Sequence, residues 1–156
     1  MSPPRPRTLA PISRVSGLDY DVLDELLGYS LRRAQVAMFL AFHEATRGME
    51  LTPPRFTALV IIGANPGLSQ SVLGKVLGIA RSGAMMMTDW LEARGLIERR
   101  RKPGDARAWG LHLTPAGEQF VGNMKRRVLK HDVSKAKSLS KAERRELLRL
   151  LDKLAQ

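Results

Sequence analysis

Two sets of side chains in this sequence have chemistry to offer. The denser is Arg99, Arg100, Arg101, Lys102 and Arg107, five cations in nine residues, with Asp105 as the one acid among them. Such a run repels itself unless a polyanion or an internal acid relieves it, which points to a phosphate backbone as partner and to Asp105 pairing with a neighbouring arginine. Arg107 is then expected to enter a minor groove, whose negative potential attracts guanidinium groups. A solvated surface loop is the bland alternative. The second set is Tyr29, Arg32, Arg33, Phe39, Phe42 and His43, cations and aromatics along an otherwise apolar stretch. Arginines there suit the carboxylate or phosphate of an amphipathic molecule, with the aromatics holding its apolar part. Ordinary ion pairs use the same arginines equally well.

Catalysis finds no footing. His43, His112 and His131 are scattered, without His-Glu-x-x-His spacing, and no Gly-x-Ser-x-Gly elbow exists. A phosphate loop around Gly74-Lys75 fails twice, because Ser69 and Val76 stand where glycine and a hydroxyl residue are needed. The expectation is a binding protein, not an enzyme, with neither metal nor cofactor.

Composition agrees. Lys and Arg number 26 against 15 Asp and Glu, a net charge of +11 that favours a polyanionic partner. The chain has no cysteine, which removes disulfides, cysteine zinc sites and thiol redox sensing. Its 156 residues suit one domain, expected over 18–156. Pro3, Pro4, Pro6 and Pro11 break regular structure in residues 1–17, which read as a flexible basic arm. With no apolar signal core and no run of about 18 apolar residues, a cytoplasmic location is expected.

The elements that must position these residues follow from periodicity. Leu23, Leu26, Leu27, Leu31, Ala34, Met38 and Ala41 recur at helical spacing between Asp19 and Arg47, which predicts one helix of about 28 residues, roughly 42 Å long. So long an apolar helix exceeds what one small domain covers and hints at a second subunit. Thr52-Pro53, Ser69-Gln70, Thr114-Pro115 and Ser140-Lys141-Ala142-Glu143 are helix starts, the last a capping box. Asn65-Pro66-Gly67, Gly78 and Gly95 are stops. These signals place short helices at 53–62, 70–77 and 81–93, a long one from Pro115 to about Ala136, and an amphipathic one at the end. Ile97–Arg101 and Trp109–Leu113 read as strands of a hairpin with a long basic tip, Trp109, Leu111 and Leu113 alternating with Gly110 and His112. Two short helices joined at Gly78-Ile79-Ala80 and followed by a hairpin form a winged helix-turn-helix.

The stretch from Leu51 to Gly117 resembles the MarR family of bacterial transcriptional regulators. The resemblance is carried by Leu51-Thr52, Phe56 to Leu59, Leu73 to Ile79, Leu91-Glu92-Ala93-Arg94-Gly95-Leu96-Ile97-Glu98-Arg99, Asp105-Ala106-Arg107-Ala108 and Leu113-Thr114-Pro115-Ala116-Gly117. It implies a mainly α fold: a winged helix-turn-helix over about 52–113 with a two-stranded β wing, and a dimerisation region from N- and C-terminal helices at about 19–47 and 115–155. It further implies a homodimer on palindromic double-stranded DNA, more often a repressor than an activator, usually released by a small molecule. The Leu31-Arg32-Arg33-Ala34-Gln35 run is similar to that of members responding to hydroxycinnamoyl-CoA thioesters. An aromatic carboxylate or aromatic acyl-CoA thioester is therefore the expected effector, with Tyr29, Arg32, Arg33, Phe39 and His43 as its candidate contacts. The sequence departs from the family at Gly83, Met86 and Trp90, where polar or basic side chains are frequent.

With Ala84, Met87, Thr88 and Leu91 packed inward, Arg81, Ser82, Gly83, Met85 and Met86 are left to face base edges. Arg81 is expected to pair with a guanine, and Met85 or Met86 to touch a thymine methyl or else to fill gaps in the core. Ser69, Gln70 and Ser71 open the preceding helix and suit phosphates, although plain capping by Ser69 fits equally. The DNA-binding set is thus Ser69, Gln70, Arg81, Ser82, Gly83, Met86, Arg101, Asp105 and Arg107. A nucleic-acid binder without sequence preference, using the same basic surface, is the alternative function.

Overall fold

Local capping chemistry sets where the helices begin. In the computed structural model, which describes residues 10–102 and 105–156 and the side chains of all of these except 102 and 105–107, Thr52 accepts from the Arg55 amide and Pro53 opens the first short helix. Ser69 accepts from the Val72 amide, and Ser140 and Glu143 form a complete reciprocal capping box. The helices are α1 (Leu27–Ala45), α2 (Pro53–Ala64), α3 (Gln70–Leu77), α4 (Arg81–Ala93), α5 (Pro115–Lys135) and α6 (Lys141–Leu154), with β1 (Ile97–Lys102) and β2 (Asp105–Leu113) between α4 and α5. This is the expected mainly α architecture with a two-stranded wing.

Two compact units share the chain. One comprises Thr46–Arg127 and carries α2, α3, α4, the wing and the first half of α5. Its core is Leu51, Ala58, Leu59, Ile62, Leu73, Ala84, Leu91, Ile97, Leu111, Val121 and Met124, each almost wholly buried. The turn between α3 and α4 depends on Gly78, whose φ of 63° is left-handed and costs a residue with a Cβ more. Gly74 in α3 lets the two helices close up, because a Cβ there would stand 3.3 Å from that of Ala84.

The wing is antiparallel, running from Ile97 opposite Leu113 to Arg101 opposite Trp109, with an irregularity between Arg101 and Lys102. It corrects two expectations. The strands are longer and the tip shorter than the charge run implied, since β2 starts at Asp105. The alternation on β2 is also not apolar-in throughout: Gly110 is buried while Trp109 is 48% exposed. The cause is a third backbone segment. Leu68 bridges Leu111, and a Cβ on Gly110 would lie 2.8 Å from Gly67 Cα, so this segment packs directly on Gly110 and buries it.

The other unit draws on the chain up to Ala45 and from Val128 onward. Here the single 28-residue helix is corrected. Asp19 Oδ1 accepts from the Asp21 amide at 2.9 Å, Asp21 takes a left-handed φ of 46°, and one 3-10 turn (Asp21–Asp24) precedes α1. A short aspartate that bonds its own backbone competes with helix, a tendency that apolar periodicity does not register. The 19 residues of α1 give about 28 Å of helix. The described part of the basic arm is also anchored: Arg14 pairs with Asp24 at 2.6 Å and covers the Tyr20 ring, while the Tyr20 hydroxyl accepts from the Val15 amide. Residues 1–9 lie outside the described residues. No helix among the described residues is long and apolar enough to cross a membrane.

Candidate nucleic-acid interface

Helix α4 divides cleanly by face. Ala84, Thr88 and Leu91 are buried, whereas Arg81, Ser82, Met85 and Met86 are exposed on its first two turns. Met87, expected inward, is partly exposed, and Gly83 faces the Ile79 side chain across the turn.

What holds α4 is a polar hub that the sequence did not announce. Arg99 on β1 donates to the Thr88 hydroxyl at 2.8 Å and to Asp89 at 2.6 Å, and it pairs with Glu92. The buried Thr88 hydroxyl also lies 3.1 Å from Gln70 Oε1 and within reach of the Ala84 and Met85 carbonyls. One guanidinium therefore ties the base of the wing to α4, and one hydroxyl ties that helix to α3. Spacing alone cannot predict such a hub, because its members are brought together from three elements.

Beside the hub lies an open cleft of about 770 Å³ lined by Gln70, Ser71, Arg81, Glu92, Arg99 and Trp109. Of the expected DNA-binding set, Gln70 and Arg81 line it. Ser69 stands next to it, but its hydroxyl serves as the α3 cap and sits 3.1 Å from that of Ser71. Arg101 stacks on Trp109, guanidinium carbon to ring centroid 4.8 Å, which places a cation and an exposed aromatic on one strand pair. Ser71, Glu92, Arg99 and Trp109 join the cleft from outside that set. The side chains of Asp105 and Arg107 lie outside the described residues, and so do their expected pairing and reach.

At the other end of α4, Trp90 is sandwiched between Arg55 and Arg94, 3.7 and 3.6 Å from ring centroid to guanidinium carbon. Burial, and then repulsion from Arg94, lower the Arg55 pKa, while Arg94 pairs with Glu50. Trp90 is therefore a packing residue that joins α4 to the start of α2.

The junction after the wing explains the Leu-Thr-Pro-Ala-Gly run. Thr114 accepts from the Gly117 amide at 3.0 Å and donates to the Gly95 carbonyl, and a Cβ on Gly117 would run into the Leu96 carbonyl. Only glycine lets α5 start against the turn that ends α4.

The second predicted set sits on α1. Tyr29, Arg32, Arg33, Phe39 and His43 fall within an arc of about 120° at the helical 100° per residue, whereas Phe42 lies off that arc and is buried. Arg33 lies 5.8 Å from the Tyr29 ring centroid, and Phe39 meets His43 edge-on at 4.5 Å. Among the described residues, Arg33 Nε is buried without a hydrogen-bond partner. No group of three or more His, Cys, Asp or Glu able to hold a metal occurs among the described residues.

Comparison with known proteins matches this layout. A model of the MarR family fits residues 49–108, the segment from α2 to the start of β2. The candidate transcriptional regulatory protein for the hcr operon of Thauera aromatica is 39% identical over 129 residues, covering 82% of this chain and 78% of that protein. The structure of the transcriptional repressor CouR bound to a 23-mer DNA duplex superposes with a TM-score of 0.84 at 37% identity, over 90% of this chain and all of that one. CouR bound to p-coumaroyl-CoA gives 0.78 at 36% identity, over 89% and 98%. These relatives are regulators and not enzymes, and the chain, with the wing and the Gly117 junction that its sequence implied, belongs to the MarR family of transcriptional regulators.

Proposed function

We propose that this regulator is a repressor that binds a palindromic operator as a homodimer and is released by an aromatic acyl-CoA thioester or aromatic carboxylate. The observation that carries the DNA reading is the cleft, which sets the exposed first turn of α4 beside the α3 N-terminus and the Arg101–Trp109 pair. Arg81, Ser82 and Met86 then meet base edges in the major groove, Ser69 and Gln70 flank a phosphate strand, and Arg101, Asp105 and Arg107 serve at the wing. CouR, bound to DNA at 37% identity, supports this assignment.

Apolar surface supports the dimer. Leu147, Leu148, Leu150, Leu151 and Leu154 of α6, together with Leu129 and Val133 of α5, are all more than a third exposed, and α6 has no buried residue. So many clustered leucines are what a second copy covers. Sedimentation of the free protein is expected at twice the 17.3 kDa chain mass.

The arc of Tyr29, Arg32, Arg33, Phe39 and His43 supports an anionic aromatic effector, as does the p-coumaroyl-CoA complex of CouR. The test is to select duplexes from a random pool and titrate the complex with aromatic acyl-CoA thioesters and their free acids. Release is expected, with DNA weakening thioester binding by the same factor, and Arg33→Gln reducing the response. A thioester that binds but leaves DNA affinity unchanged contradicts the effector role.

A further inference from the structure

We infer that Met86, assisted by Met85, reads the 5-methyl group of thymine in each operator half-site, so that this regulator's sequence preference rests in part on an apolar contact. The inference rests on the DNA-binding reading above. Met86 is 71% exposed and Met85 50%, so neither fills the core of its unit. They follow Arg81 and Ser82 by one turn on the same solvent-facing side of α4, while the opposite side is occupied by Ala84, Thr88 and Leu91. Gly83 has no side chain to add and is turned toward Ile79. The exposed groups of the first two turns are therefore one cation, one hydroxyl and two thioethers, a surface poor in hydrogen-bonding groups.

What occupies such a surface follows from the chemistry of the groove. Phosphates are charged, and of the base edges in the major groove only thymine carries a methyl group. The +11 net charge and the cleft beside Arg81 argue for DNA as the occupant over an apolar protein partner. Methionine, unbranched and polarisable, settles against a methyl group without a fixed angle of approach.

The test uses the full chain and duplexes selected from a random pool. Each thymine of the preferred duplex is replaced in turn by uracil, which removes the methyl and leaves base pairing intact, and affinity is measured at 150 mM salt. At one or two positions per half-site the wild type is expected to lose about fourfold, the equivalent of one buried methyl at about 0.8 kcal/mol. Met86→Gln, close in length but polar, should bind the thymine duplex more weakly and lose its sensitivity to uracil at that position, whereas Met86→Leu should keep it. Equal affinity of the wild type for thymine and uracil at every position overturns the inference while leaving the DNA-binding reading intact. Undiminished uracil sensitivity in both Met86→Gln and Met85→Gln also overturns it. If no duplex is selected at all, the DNA-binding reading fails and takes this inference with it.

Discussion

Arg99 on β1 donates to the buried hydroxyl of Thr88 on α4, 2.8 Å away, so the wing and α4 share one polar joint. Arg99 is only a quarter exposed, and its other partners, Asp89 and Glu92, both belong to α4. The joint holds α4 against the base of the wing. Thr88→Val keeps the shape but removes the hydroxyl that Arg99 and Gln70 meet, which should cost about 1–3 kcal/mol in urea unfolding. DNA affinity should fall as well, although Thr88 is buried. Wild-type stability in that variant contradicts the role given to the joint.

Two glycines of α5 should respond in opposite directions. Gly117→Ala drives a Cβ into the Leu96 carbonyl and should destabilise by more than about 2 kcal/mol, since backbone cannot step aside as a flexible side chain does. Gly122 has nothing within 4 Å of where a Cβ would stand. Gly122→Ala should therefore stabilise by up to about 1 kcal/mol through the lower helix cost of alanine. Thermal unfolding of the two variants side by side checks both signs.

Much of this was written locally. Thr52, Ser69 and Ser140 state their caps within four residues, and Gly78 and Gly95 state their stops, so the starts of α2, α3 and α6 needed no tertiary information. The misreadings arose where a contact that apolar periodicity does not register decides, one of them distant and one local. Gly67 closes on Gly110, so that Gly110 is buried and Trp109 exposed although Leu111 stays buried as the alternation implied, and the Asp19–Asp21 turn delays to Leu27 an α-helix that apolar periodicity would have begun at Asp19. The candidate site divides the same way: Arg81 and Ser82 were legible from their place at a helix start, but Arg99 and Trp109 join the cleft only through strand pairing.

The wing cations should appear in salt dependence. Replacing Arg101 by Gln, or Arg107 by Ala, is expected to weaken binding across all duplex sequences and to lower the slope of log affinity against log salt by about one for each phosphate no longer neutralised. Arg107→Ala binding the selected duplex normally at 150 mM salt would count against the wing assignment.

The capping box at α6 titrates. The Ser140 hydroxyl and amide hold the Glu143 carboxyl below its ordinary pKa by hydrogen bonding to the charged form. A depressed carboxylate contributes stability that is present above the unfolded value, about 4.3, and lost as pH falls through the lower folded value. The stability gap between wild type and Glu143→Gln should accordingly be open at pH 7 and close below about pH 4, as followed by urea unfolding at each pH. A gap independent of pH contradicts the box as the source.

The central claim is sequence-specific recognition by α4 and the wing, and competition at fixed salt tests it most directly. With labelled duplex from the random-pool selection held at 150 mM salt, unlabelled selected duplex is predicted to compete at least about 10³-fold better than a scrambled duplex of the same composition. Arg81→Ala should narrow that ratio more than it lowers overall affinity. Equal competition by the two duplexes would contradict the account and leave a basic protein that binds nucleic acid by charge alone.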